Sequence, residues 1–230
     1  MPISRKEFVT AAAVGATLAA AGTATNARAA SGLHFHVQTT SEYDRAAMLA
    51  VLETKKTNKQ VFQSVTPLTI AGAASLYLHM QNSLNAYEFS YGMGGGSLAV
   101  LGVLLGPSIV YALDDATWKK YAFGATFNLD ATNTYYTAAT LKRTASPDDP
   151  NGIYQDWSAQ AILKRGGAFM VCHNATTAIA ALLSGKAGTT PQAALAEFEK
   201  HLLPGFQMVP SGVAAVQLAA QHGWHNFPVI

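Results

Sequence analysis

Gly166-Gly167-Ala168-Phe169-Met170-Val171-Cys172-His173-Asn174-Ala175 sets a turn, a strand and the start of a helix in one short run. The paired glycines break whatever precedes them, and the apolar residues from Ala168 to Val171 have the length of a buried strand. Cys172 follows at once, and helix-length sequence runs on from about Asn174 to Leu183. The same grammar repeats on both sides. Upstream, Ile153, Trp157 and Ala161 share one side of a helix expected over about Tyr154 to Arg165. Downstream, Thr190-Pro191 is an N-cap followed by a first-turn proline, and Leu195, Phe198 and Leu202 form the buried stripe of the helix it starts. A strand at Phe206 to Val209, a helix from Ser211 and a last strand near Trp224 to Val229 complete the C-terminal part.

Toward the N-terminus the pattern continues less sharply. Leu33, Phe35 and Val37 alternate with His34 and His36, which predicts a first strand over Leu33 to Gln38. Ser41 is a candidate cap for the helix after it, in which Tyr43, Ala47 and Ala50 recur on one face. A second helix is expected over about Ala71 to Phe89, ended by the glycines of Gly92 to Gly96. Leu98 to Leu105 is a continuous apolar run of strand length closed by Gly106-Pro107. Residues 122 to 152, rich in Thr, Asn and Tyr, show neither period and read as an inserted excursion. Strands separated by helix-length segments need crossovers, so the expected class is α/β, with a mostly parallel sheet of five strands covered on both faces.

The first 29 or so residues stand apart. Arg5 and Lys6 precede an Ala, Gly and Thr-rich run from Phe8 to Ala24, and Ala27-Arg28-Ala29 offers a small-residue cleavage site. This is the layout of a signal peptide. Ser4-Arg5-Lys6-Glu7-Phe8 resembles a twin-arginine motif with Lys6 in place of the second arginine, so the general secretory route stays open. The run is mostly Ala and too weakly apolar for a retained span, which predicts no stable membrane insertion after cleavage. Export would put the protein in the periplasm or outside the cell.

Removing the leader takes Arg5, Lys6 and Arg28 from 15 basic residues and Glu7 from 13 acidic ones, leaving 12 of each. The basic excess of the whole chain therefore lies in the discarded segment, and no nucleic-acid partner follows from it. With 50% hydrophobic and 12% charged residues the remainder can bury a large core as one domain, and its apolar balance suits a homo-oligomer. Cys172 is the single cysteine, so no disulfide holds the exported domain together.

The C-terminal third resembles the DsrE/DsrF-like family, in its exported, single-domain branch. The residues that carry the likeness are Leu163-Lys164-Arg165-Gly166-Gly167-Ala168-Phe169-Met170-Val171-Cys172-His173-Asn174-Ala175, then Leu203-Pro204-Gly205-Phe206-Gln207-Met208-Val209-Pro210-Ser211-Gly212-Val213, and Gln221-His222-Gly223-Trp224. The likeness covers roughly residues 153 to 230 and is weak over 33 to 121. It implies a flavodoxin-like, three-layer α/β/α fold and assembly into trimers or larger rings. It also implies, from cytoplasmic sulfur-relay members, a cysteine that carries sulfur as a persulfide, which maps onto Cys172 alone. The partner would be a small sulfur compound or a partner protein thiol.

The residues themselves leave two readings of Cys172 open. At a strand's carboxyl end and a helix start, backbone N–H groups and the positive helix end favour a thiolate, the reactive species. Cysteine is equally at home fully buried and inert, and an inert thiol would leave a non-catalytic binding or assembly protein. His173 could add positive charge beside it. His36 is expected near the carboxyl end of the first strand, where it could approach Cys172 as a polar helper. His34 and His36 share a strand face, a spacing metals use, but no third and fourth ligands stand at convincing spacing and no metal is named. His222 and His225 read as surface or subunit contacts, and Trp118 as packing. Gly92 to Gly96 lacks the Lys-Ser/Thr of a phosphate loop, and no cofactor follows from it.

Overall fold

The computed structural model describes residues 35–229. The leader through residue 29, and Leu33 and His34 of the expected first strand, lie outside the described residues. The first helix, α1 (Arg45–Leu52), is capped by Asp44, whose side chain accepts the Ala47 N–H at 2.8 Å. Then come β1 (Asn58–Ser64), a two-strand hairpin of β2 (Thr69–Ile70) and β3 (Ala73–Ala74), and α2 (Ser75–Asn85), which runs into a π-helical turn at Ala86–Ser90. β4 (Leu98–Leu104) leads through a 3-10 turn into α3 (Asp115–Lys120) and α4 (Phe123–Phe127). After the excursion the order is α5 (Ala159–Lys164), β5 (Ala168–Cys172), α6 (His173–Leu183), α7 (Pro191–Lys200), β6 (Phe206–Val209), α8 (Gly212–Gln221) and β7 (His225–Val229).

The sheet runs β6-β5-β4-β1-β7, with every neighbouring pair parallel. Each connection from β1 to β4, β5 and β6 steps in one direction, so right-handed crossovers place the intervening helices on one face. The last connection runs back across the sheet to β7 and puts α8 on the other face, beside α1. Side-chain alternation separates the two layers. Phe62, Val100, Leu104, Phe169 and Val171 pack with Tyr77 and Met80 of α2, Leu183 of α6 and Phe198 of α7. Val61, Leu101, Val103, Met170, Cys172 and Val209 pack with Met48 and Leu52 of α1 and Ala215, Val216 and Ala219 of α8. This is the expected three-layer α/β fold with five parallel strands.

The first strand is not where the alternation placed it. Residues 35 to 38 join no sheet, and Phe35 and Val37 are exposed. The strand is Asn58–Ser64, central in the sheet between β4 and β7. Only Val61 and Phe62 of it are apolar, one for each layer, and the polar residues around them masked it. Three boundaries also move. Asp44, not Ser41, caps α1. Ala71 belongs to the turn before β3, with φ of 50°, and α2 begins at Ser75. The helix expected from Tyr154 is a 3-10 turn at Ile153–Gln155 followed by α5, because the Ser158 side chain caps a new helix by accepting the Ala161 N–H at 3.2 Å.

The excursion is packed down. Asn133 is buried and donates to the carbonyls of Tyr111 and Leu113 at 3.0 and 2.8 Å. Trp118 is fully buried, as expected of a packing residue, and its indole N–H donates to the Asp130 carbonyl at 2.9 Å. At the far end of the excursion, Gln81 donates to the carbonyls of Ile153 and Asp156, and Asn85 donates to that of Tyr154 at 2.8 Å. Among the described residues no helix is long and apolar enough to cross a membrane.

Candidate functional site

Adjacent strands β5 and β6 send their following helices to opposite faces of the sheet. Such a divergence opens a crevice outside the strands' carboxyl ends, where α/β proteins hold ligands. Cys172 ends β5 opposite Val209 of β6 and is the N-cap of α6. Its Sγ accepts the Ala175 N–H at 3.4 Å, and its carbonyl accepts the Thr176 hydroxyl at 2.9 Å. The side chain points into the α1 and α8 layer among Val103, Leu105, Val209 and Ala215, and the residue is 6% exposed. Gly212, first in α8, presses on it so closely that a Cβ there would lie 2.9 Å from the Cys172 Cβ and would collide with Leu105. The thiol is free and buried.

His173 takes the opposite side of the same helix start. It is 3% exposed, and its Nε2 lies 3.1 Å from Oε1 of Glu199, near the end of α7. Its other ring nitrogen, Nδ1, is buried with no hydrogen-bond partner among the described residues. His173 and Glu199 form part of the wall of a cleft of about 920 Å³ along β6, the edge strand, with Phe206 and Gln207. The facing wall is the N-terminal segment, with His36 and Glu42. Gln207 joins the two walls, its Nε2 donating to the Asp44 carbonyl at 2.7 Å.

His36 is exposed, with Nε2 2.6 Å from Glu42 Oε1. Glu42 also accepts the Thr39 N–H and hydroxyl, both at 2.7 Å. The Thr39 backbone N–H above all, then its hydroxyl and His36, hold the Glu42 carboxyl down at about 2. The structure thus brings two of the three sequence-predicted residues, His36 and His173, into one cleft. Cys172 is not among the residues lining that cleft. Because residues 35 to 38 form no strand, the expected approach of His36 to Cys172 at a strand end is replaced by its pairing with Glu42.

Sequence reasoning missed Glu42, Glu199 and Gln207. The Thr39 to Glu42 spacing, that of a capping pair, was a signal for the first. Glu199 left none, because its meeting with His173 depends on how α7 packs against α6. Among the described residues no three His, Cys, Asp or Glu side chains converge on a metal position. His225 is exposed, while Trp224 beside it is buried and donates to the Leu52 carbonyl at 3.0 Å.

Fold and site together define an α/β protein with a cleft at its sheet edge and a thiol packed behind the cleft's helix. Compared with known proteins, the chain matches no family model, no curated protein and no solved structure.

Proposed function

We propose that this is an exported, DsrE-like α/β protein that acts by binding, through the cleft along β6, with Cys172 as a packed helix cap. One observation carries the reading: at the start of α6 the thiol turns into an aliphatic layer, while its neighbour His173 offers to the cleft a buried imidazole beside the Glu199 carboxylate. Burying a polar group is costly unless it is hydrogen-bonded, and His173 Nδ1 has no such bond among the described residues; clefts with a few such groups on apolar walls are the usual form of ligand sites. The chain's apolar balance supports assembly into a homo-oligomer, which sedimentation would measure. Export rests on the leader, and N-terminal sequencing of the processed protein should begin at Ala30.

A second reading is favoured by the hydrogen bond from the Ala175 N–H to the Cys172 sulfur. A thiolate there would be stabilised by the helix start and could attack a sulfane-sulfur donor. The new S–S bond would leave a persulfide on Cys172, while the donor departs with the electron pair of its broken S–S bond as sulfite or a thiolate. Iodoacetamide labelling of native protein separates the readings. Protection until denaturant is added supports binding with an inert thiol. Labelling in the native state at a rate above that of free cysteine, persisting at mildly acid pH, overturns it in favour of the thiol carrier.

A further inference from the structure

The chemistry that the cleft accepts can be read from its hydrogen-bonding groups, and the inference rests on the cleft being a binding site. His173 Nε2 lies 3.1 Å from the Glu199 carboxylate, which can only accept, and we assign the proton of the neutral imidazole to that nitrogen. In the neutral ring Nδ1 is then an acceptor, and it is buried and without a partner among the described residues. Gln38, also in the lining, has a buried side-chain oxygen, Oε1, with no partner among the described residues. Carboxylates of Glu42, Asp44 and Glu199 add negative charge, and among the described residues the lining contains no Lys or Arg. Two of its donors are engaged, Gln207 with the Asp44 carbonyl and His36 with Glu42, and the Gln38 amide and Tyr43 hydroxyl complete the polar lining. Leu195, Phe206 and Met208 supply an apolar floor. An acceptor-rich, acidic cleft with an apolar floor is complementary to a group that carries several N–H donors and a positive charge on an aliphatic stem.

We propose that the cleft binds an organic cation, an ammonium or guanidinium on a short alkyl chain, with its N–H groups directed to His173 Nδ1 and the Glu199 carboxylate and its stem on Phe206 and Met208. A free alkyl amine and a Lys or Arg side chain of a peptide present the same chemistry. The test uses the full chain, titrated with agmatine, with the peptide Gly-Arg-Gly, with pentan-1-ol as a neutral control and with thiosulfate as an anion, followed by calorimetry and by amide NMR shifts. Agmatine should shift the amides of His173, Glu199 and Gln207, and pentan-1-ol should not. Glu199→Gln, a near-isosteric change at a part-exposed side chain, should weaken agmatine about ten-fold while leaving the rest of the spectrum in place. Binding of agmatine but not the peptide assigns a free amine, and the reverse assigns a basic segment of a partner. Equal binding of pentan-1-ol, or unchanged affinity in Glu199→Gln, overturns the proposal. Thiosulfate binding in place of agmatine overturns the ligand class and leaves the cleft as a binding site. Silence of the cleft amides toward all four probes overturns both.

Discussion

At the start of α6, consecutive residues face different layers, and this division decides what each can do. Cys172 is wedged between Leu105, Val209 and the α8 start, where Gly212 leaves no room for a side chain. Gly212→Ala should therefore destabilise the protein by about 1–3 kcal/mol through overpacking, read as a lower urea midpoint. Cys172→Ala removes a small buried sulfur and the acceptor for the Ala175 N–H, and should cost about 1–2 kcal/mol in the same assay. On the facing wall of the cleft, NMR titration should find Glu42 ionising near pH 2. His36→Ala should raise that value only in part, because the Thr39 backbone N–H is the larger cause and survives the change. The cysteine and both histidines were visible as chemically capable residues in the sequence. Which way each side chain faced was not, since that depends on the partners the tertiary packing supplies.

Among the elements, α2 and α5 are tied by a buried polar cluster that also anchors the excursion. The Arg165 guanidinium donates to Gln81 and Glu88 at 2.9 Å and to Asn85 at 2.5 Å, and it stacks over the Tyr154 ring at 5.1 Å. Burial pulls its pKa below the ordinary arginine value, while Glu88 opposes that pull. The π-helical turn at Ala86–Ser90 carries Glu88, whose second oxygen accepts from Arg143 of the excursion at 3.2 Å. Arg165→Met would leave the carbonyl oxygens of Gln81 and Asn85 unpaired and Glu88 short of its buried partner. It should cost about 3–5 kcal/mol in thermal or urea unfolding, with faster amide exchange in residues 139 to 156 before global unfolding. Helix limits were legible where a capping side chain stood alone, as at Thr190 and Ser211. They were misread where several candidates crowd together, as at Ser41 and Asp44, because the choice between caps is made by the packing of the helix behind them.

For the whole molecule, acid is expected to be the weak side. Asp114 pairs with His201 at 2.7 Å, and Glu197 accepts from Lys120 at 2.5 Å and from the Tyr121 hydroxyl at 2.8 Å. Partial burial pushes both carboxyls up, but the Thr117 N–H and His201 for Asp114, and Lys120 and Tyr121 for Glu197, outweigh it and hold them below their ordinary 3.8 and 4.5. A carboxyl lowered in the folded state stabilises the fold above its unfolded pKa and loses that contribution as pH falls through its folded one. Urea midpoints should thus hold from neutral pH down to about 5 and drop below 4.5, and Asp114→Asn should flatten part of the drop. The amino-acid sequence by itself determined the class of the fold and four of the five sheet strands, because apolar runs of strand length separated by helix-length segments admit only crossover connections between parallel neighbours. It did not determine that Asn58–Ser64 is the central strand, that Cys172 faces α8, or that Glu199 meets His173. Those outcomes rest on contacts between residues far apart in the chain, whose energies appear only once the sheet order has placed them side by side.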